Sequence, residues 1–294
     1  MRLRDLADGA RRRLEAAGIP RAEAALDAEL LARDALGWDR ATWLVRRDQD
    51  EREVETQTLA ARGIGAFRAA FDARVGRRVK REPMAYIRGT QEFYGREFLV
   101  GPGVLIPRPE TELIVDETKA AAMGRRPPRV ADVGTGSGCL AVTLALELPA
   151  AQVTATDISA DALTIARGNA EAHGMAARIA FVETSYLTGV AGPFDLIVSN
   201  PPYVRAIDEA SLAPEVRDHE PREALYGGED GLRDIRAIAQ AATTALRPGG
   251  VLVMEIGVGQ AKAVTAVLTA VGLGGELTIR RDLQGIPRVA VACL

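Results

Sequence analysis

Three glycines at alternate positions, Gly134, Gly136 and Gly138, follow the run Val130-Ala131-Asp132-Val133 and lead into an apolar stretch that begins Cys139-Leu140. Glycine lets a backbone take positive φ and come close to a ligand. A helix starting after such a loop offers free N–H groups at its first turn. Asp157 stands 19 residues beyond Gly138, after the next apolar run. A carboxylate there can accept hydrogen bonds from both hydroxyls of a ribose. Loop and carboxylate together indicate a cofactor of adenosine type. A dinucleotide loop favours the spacing G-x-G-x-x-G, in which the last glycine permits close helix packing. The spacing G-x-G-x-G found here favours S-adenosylmethionine, which has no pyrophosphate to cradle. The bland alternative is a tight turn without a ligand, and Asp157 in step with the loop argues against it.

A second group of residues, Asn200-Pro201-Pro202-Tyr203, follows the apolar run Phe194-Asp195-Leu196-Ile197-Val198-Ser199. The paired prolines fix the backbone and have no N–H to offer. The Asn200 side chain adds an amide oxygen as an acceptor. Such a corner can accept both hydrogens of an –NH2 group and hold its nitrogen toward a methyl donor. An amide or aromatic amine nitrogen is a poor nucleophile because its lone pair is delocalised. Acceptors on its hydrogens, aligned with a sulfonium methyl, raise its reactivity through positioning and electrostatics. No metal and no strong base are needed. Tyr203 can stack on a planar target. The alternative is a turn that happens to contain two prolines, and its phase with the glycine loop speaks against that.

Both groups need a scaffold that brings strand ends together. From residue 129 the pattern is strand, loop, helix, repeated. Strands are expected at 129–133, 152–156, 178–182, 194–199, 250–256, 275–281 and 287–292, with helices at 139–148, 160–173, 231–246 and 259–271. That alternation predicts a mostly parallel sheet covered on both faces. In such a sheet, ligands lie outside the carboxyl ends of the strands, where the glycine loop and Asn200 both fall. The first 81 residues read instead as a small helical domain. Leu3, Leu6, Ala10, Leu14 and Ala17 have helical spacing, and a second helix can start at Pro20 and stop at Gly37. A third helical stretch covers about 51–79, with Gly63 and Gly65 as interruptions. Residues 82–128 form a connector: a hairpin over Glu92 to Val100, the stretch Ile106-Pro107-Arg108-Pro109-Glu110-Thr111-Glu112, and a helix from about Thr111 to Met123. The catalytic domain is then 129–294.

Composition supports a globular chain with a real core, 47% apolar and 26% charged, with no stretch long and apolar enough for a membrane span. Met1 to Arg13 is charged throughout and carries no apolar signal-peptide core, so a cytoplasmic protein is expected. Two cysteines, Cys139 and Cys293, give neither a disulfide framework nor metal spacing. A net charge of −3 does not announce nucleic acid. The charge is uneven: residues 1–81 hold 18 Lys and Arg against 14 Asp and Glu, the remainder 19 against 26. Such asymmetry is a weak pointer to a partner surface and more often reflects solvated faces.

Taken together, these motifs resemble the peptide chain release factor glutamine methyltransferases of HemK/PrmC type. The resemblance spans nearly the whole chain: the helical N-terminal domain, residues 106–112, Asp132 to Gly138, Asn200 to Tyr203, Glu220-Pro221-Arg222, Ala224-Leu225, Gly227-Gly228, Asp230-Gly231-Leu232, Leu246-Arg247-Pro248-Gly249-Gly250 and Glu255-Ile256-Gly257. Asn-Pro-Pro-Tyr alone is shared with DNA adenine-N6 methyltransferases, and the stretch at 106–112 makes the match specific. The resemblance implies a seven-stranded, Rossmann-like class I methyltransferase domain that uses S-adenosylmethionine to methylate N5 of the glutamine in the Gly-Gly-Gln loop of release factors. It implies cofactor contacts from Gly134, Thr135, Gly136, Ser137, Gly138, Asp157, Tyr186 and Asn200. The glutamine would be held by Asn200, Pro201, Pro202 and Tyr203, with Arg108 and Glu110 beside them, and Asn200, Pro201 and Tyr203 would be catalytic. Family members often carry Asp before an aromatic residue near the adenine, and Ser185-Tyr186 stands here, keeping the aromatic residue without the acid. Three rival readings remain. A glutamine methyltransferase of ribosomal protein L3 resembles the chain less at 106–112. A DNA adenine methyltransferase lacks support from the charge or from any basic, aromatic-rich patch. A non-catalytic adenosine-binding module has no need for acceptors converging at Asn200.

Overall fold

The computed structural model describes residues 1–58, 65–124 and 127–294. It divides into two compact units, Met1–Gly89 and Thr90–Leu294. The division falls between Gly89 and Thr90 rather than at 81/82, and most of the expected connector belongs to the second unit.

The first unit is helical: α1 (Leu3–Ala16), α2 (Arg21–Leu36), α3 (Arg40–Arg46), α4 (Glu51–Thr58), α5 (Ala66–Val79) and α6 (Met84–Arg88). The expected apolar stripe of α1 is buried at Leu3, Leu6, Ala10 and Leu14. Pro20 caps α2 and Gly37 ends it in the left-handed conformation at φ 68°. Gly65, at φ 88°, caps α5 and so breaks the expected long third helix, while Gly63 lies outside the described residues. Two short helices went unforeseen. Asp39 starts α3 by accepting a bond from the Thr42 N–H at 2.7 Å, and Pro83 and Gly89 bracket α6. Arg78 is buried in this unit, where Asp27 and Glu23 accept its N–H groups at 2.7 and 2.6 Å.

The second unit opens with a hairpin, β1 (Thr90–Phe93) and β2 (Arg96–Leu99). Its turn residues Tyr94 and Gly95 both have positive φ, 54° and 71°, the twist a two-residue hairpin loop requires. A single 3₁₀ turn at Pro109–Thr111 then leads into α7 (Glu112–Ala122), as the two prolines and the helix start foretell. The remaining elements alternate: β3 (Arg129–Val133), α8 (Cys139–Glu147), β4 (Gln152–Asp157), α9 (Ala160–Ala172), β5 (Ile179–Glu183), β6 (Phe194–Ser199), α10 (Pro214–His219), α11 (Arg222–Leu225), α12 (Arg233–Ala245), β7 (Leu246–Glu255), α13 (Ala261–Ala270), β8 (Leu277–Arg281) and β9 (Pro287–Cys293). Seven strands form one sheet in the order β5-β4-β3-β6-β7-β9-β8. The pairs from β5 to β7 are parallel, and β9 runs antiparallel to both its neighbours.

Strand periodicity divides the core in two. Val130, Leu196, Val198, Val251 and Val253 pack with α7 and α8 through Ile114, Val115 and Leu140. The alternate residues Ala131, Val133, Ile197, Leu252 and Met254 pack with α12 and α13 through Ile235, Ile238, Val264 and Leu268. Phe93, Phe98 and Ile114 belong to the first of these layers, so the hairpin and α7 are part of the catalytic core. From β3 the chain winds outward through β4 to β5, then returns to place β6 on the other side of β3. The carboxyl ends of β3 and β6 therefore flank the point where winding reverses, the place where open α/β sheets bind ligands.

Candidate active site

The loop after β3 holds Gly134, Gly136 and Gly138 at φ 73°, 55° and 78°. The N–H groups of Gly134 and Thr135 donate to the Thr156 carbonyl on β4, both at 2.9 Å. Asp157, at the end of β4, accepts from Gly136 N–H at 2.9 Å and from Ser159 N–H at 3.0 Å. Its carboxylate thus braces the loop and the start of α9 while facing the cavity beside them. Below the loop lies Asp132, fully buried, whose Oδ2 accepts the Thr135 hydroxyl at 2.6 Å and the Ala141 N–H at 3.1 Å. Its Oδ1 has no partner, and burial pushes the carboxyl up to about 7. Cys139 is buried and its thiol is pushed up to about 12, chiefly by desolvation, so it behaves as a small packing residue.

One cavity of about 420 Å³ runs from this loop to the end of β6, within the size range of small-molecule sites, about 300–1,000 Å³. Gly134, Thr135, Gly136, Ser137, Asp157, Tyr186, Asn200, Pro201 and Pro202 line it. Four other expected residues are placed elsewhere. Gly138 faces α9, where an added Cβ would stand 2.9 Å from Ala166 Cβ, so its role in the fold is close helix packing. Arg108 forms an ion pair with the buried Glu220, which also accepts the Ile106 N–H at 3.1 Å. Glu110 is partly exposed and outside the lining. Tyr203 lies behind the lining, and its hydroxyl donates to Glu255 Oε1 at 3.1 Å.

At the end of β6, Asn200 Nδ2 donates to Thr111 Oγ1 at 3.1 Å, and Thr111 donates to Glu255 Oε2 at 2.6 Å. Asn200 Oδ1 is buried and has no partner. Burial raises both the Glu255 carboxyl and the Tyr203 hydroxyl above their ordinary values. The corner is backed by the 227–231 segment at very short range. A Cβ on Gly227 would stand 2.5 Å from the Pro202 carbonyl oxygen, and one on Gly231 2.3 Å from that of Tyr203. Gln260 Nε2 ties the Tyr203 and Gly231 carbonyls together at 3.0 and 3.2 Å.

Relatives of this chain place these features. The family model for the PrmC N-terminal domain matches residues 5–89, and that for the methyltransferase small domain matches 110–217. The release factor glutamine methyltransferase of Geobacter sulfurreducens is 44% identical over 291 residues, covering 98% of this chain and 95% of that one. The enzyme of the same name from Bordetella pertussis is 44% identical over 273 residues, covering 93% and 94%. The chain belongs to the release factor glutamine methyltransferase family. A solved methyltransferase from Pyrococcus furiosus shares the fold, with a TM-score of 0.51 at 18% identity over 68% of this chain and 90% of that one. The cofactor is S-adenosylmethionine, and the cavity fits it. Glycines at positive φ, Asp157 at the end of β4 and Asn200 after β6 all line one space.

Within this release factor glutamine methyltransferase fold, Tyr186 keeps an unusual positive φ of 53°. The Thr156 hydroxyl donates to its carbonyl at 2.8 Å, and its own hydroxyl donates to Asp234 Oδ1 at 2.9 Å. Burial and Asp234 push the phenol up to about 12. Ser185 lines the cavity, and an acidic group comes to the same wall from Asp234 on α12. Asp234, Thr111 and Glu255 had been given no role from their sequence positions. Each comes from a segment far along the chain; Thr111 and Glu255 lie in stretches that carry the resemblance, and Asp234 lies outside them.

Proposed function

We propose that this chain transfers the methyl group of S-adenosylmethionine to the N5 amide nitrogen of the glutamine in the Gly-Gly-Gln loop of peptide chain release factors. The observation that carries the assignment of the target is Asn200 on the wall of the cavity that the glycine loop also lines, with its side-chain Oδ1 buried and left without a partner. Bound S-adenosylmethionine supplies an electrophilic methyl on a good leaving group. In this reading Asp157 takes the ribose hydroxyls, and Gly134, Thr135, Gly136 and Ser137 follow the cofactor with their backbone. Tyr186 stands at the adenine. Asn200 Oδ1, with the Pro201 carbonyl beside it, accepts the two amide hydrogens of the glutamine. That aims the nitrogen lone pair at the methyl and stabilises the positive charge that develops on the N–H group as the N–C bond forms and the methyl's bond to sulfur breaks. One of those hydrogens leaves as a proton to water once the nitrogen carries the methyl. Pro202 fixes the corner, and Tyr203 and Arg108 support it from behind through Glu255 and Glu220.

A protein target suits a chain with a net charge of −3 better than a duplex does. Among the described residues no helix is long and apolar enough to cross a membrane, and work on release factors would place the enzyme in the cytoplasm. The helical unit, residues 1–81 as drawn from sequence, is assigned to recognition of the release factor. Deleting it should raise the apparent KM for release factor and leave cofactor affinity unchanged, and an unchanged KM would remove that role. The main test is incubation of the chain with labelled S-adenosylmethionine and, in parallel, release factor, ribosomal protein L3 and DNA. Label should enter release factor at the Gly-Gly-Gln glutamine. Label in L3 or DNA alone, or in none, overturns the assignment.

A further inference from the structure

A primary amide side chain has two orientations of nearly equal shape that exchange its acceptor for its donors. Only one of them suits Asn200 as a clamp for an –NH2 group, because the flipped form would set N–H against N–H. We propose that Thr111 and Glu255 act as positioning residues that hold Asn200 in the accepting orientation. The inference rests on the assignment of Asn200 to the target amide.

Glu255 ends β7 and is 1% exposed. Its two oxygens stand 2.6 Å from the Thr111 hydroxyl and 3.1 Å from the Tyr203 hydroxyl. An ionised carboxylate only accepts, so both hydroxyls must spend their single proton on it. Thr111 then has only lone pairs left for Asn200, which lies 3.1 Å away. The amide N–H fits there. A flipped amide would place two oxygens lone pair to lone pair at that distance and bury an unpaired N–H at the target side. The carboxylate thus sets the direction of both links, and the unpartnered Oδ1 is the free end of the chain. The three residues come from the 3₁₀ turn before α7, the end of β6 and the end of β7.

The direction of the chain depends on the proton of Glu255. Facing it are Thr111 and Glu110 from the 3₁₀ turn, Tyr203 from the loop after β6, and Arg288 from β9; burial raises its carboxyl, Glu110 raises it further, and Arg288 and the two hydroxyls lower it. Protonated Glu255 can donate to Thr111, which frees the Thr111 proton for Asn200 Oδ1. The clamp would then be turned the wrong way as pH falls through the raised value.

The test compares Thr111→Val, Thr111→Ser and Glu255→Gln in the full chain. Single-turnover methylation of release factor by Thr111→Val should be slowed about tenfold or more, as expected for lost alignment, with KM for release factor and affinity for S-adenosylhomocysteine within about twofold. Thr111→Ser should recover most of the rate, and Glu255→Gln should lose the acid limb of the wild-type rate profile. A wild-type rate in Thr111→Val, or equal slowing in Thr111→Val and Thr111→Ser, overturns the proposal. Should Thr111→Val fail to fold, the acid limb of Glu255→Gln decides, and an unchanged limb counts against it. Wild-type enzyme that methylates no release factor would sink the proposed function instead. In that event the side-chain ¹H–¹⁵N signals of Asn200 still test the relay. Slow exchange of one Nδ2 proton in wild type, lost in Thr111→Val, supports it, and identical signals in the two proteins refute it.

Discussion

At the glycine-loop wall of the cavity the chain works with its own backbone, whereas at the Asn200 wall it works with side chains drawn from distant segments. Gly134 and Thr135 bond to the neighbouring strand, Gly136 bonds to Asp157, and the loop is complete within a short stretch of sequence. Asn200 instead depends on Thr111, 89 residues away, and Thr111 on Glu255, 144 residues away. A cofactor common to many enzymes can be held by a local loop. A poor nucleophile needs acceptors with fixed direction, and that requires buried partners which themselves cannot turn. The contrast predicts that damage at the two walls will separate into turnover and affinity.

The largest effect is expected at Asn200. Asn200→Ala removes the unpartnered acceptor and should lower single-turnover methylation by roughly a hundredfold or more, the scale of a lost preorganised transition-state contact. Affinity for S-adenosylhomocysteine, measured by calorimetry, should change little. A mutant that turns over like wild type would show that this wall is not where the nitrogen is held. Gly227→Ala attacks the same wall without touching a polar group. The new Cβ would meet the Pro202 and Gly231 carbonyl oxygens at 2.5 and 2.8 Å, so the corner must move. A shift near 1 Å in such a site can cost about a hundredfold in rate. Retained activity in Gly227→Ala would mean that the corner tolerates displacement and that fine alignment is not its contribution.

Asp157→Ala should show the opposite signature. Loss of charge-assisted hydrogen bonds to a ribose is worth about 1.5–3 kcal/mol, or roughly a tenfold to hundredfold weaker dissociation constant. Rate at saturating cofactor should be much less affected. If calorimetry gave wild-type affinity, Asp157 would be no more than a brace for Gly136 and Ser159.

The same contrast explains what could be read from the sequence. Apolar runs and helical periodicity located the sheet and its helices to within a few residues, because β3, β6 and β7 are buried on both faces and read as continuous apolar stretches. The glycine spacing and Asp157 were legible because the loop is local. Helix α3 was missed because seven residues carry too little periodicity, although Asp39 is a favoured residue type at a helix start. Arg108 and Tyr203 pair with Glu220 and Glu255, and nothing in spacing discloses a contact across 112 or 52 residues. Tertiary partners of buried carboxylates are the part of a site that a linear pattern does not encode.

The smallest effect concerns the support of the glycine loop itself. Asp132 is completely buried beneath it with one oxygen unpartnered, and its carboxyl is raised from 3.8 to about 7, first by burial and in lesser part by the charge of Asp157. Folding therefore takes up a proton between those two values. The stabilisation from that proton is fully present below about 3.8 and is lost as pH rises through about 7. In the Asp132→Asn variant the side-chain amide has no such proton to lose. The melting temperature of wild type relative to that variant should therefore fall by a few degrees between about pH 5 and about pH 8. Other titrating groups act on both proteins alike and cancel in the difference. Asp157→Ala should move the midpoint of that fall to lower pH, because it removes a negative charge that raises Asp132. A pH-independent difference would mean that Asp132 is ionised throughout, and that the Thr135 hydroxyl and the Ala141 N–H outweigh its burial.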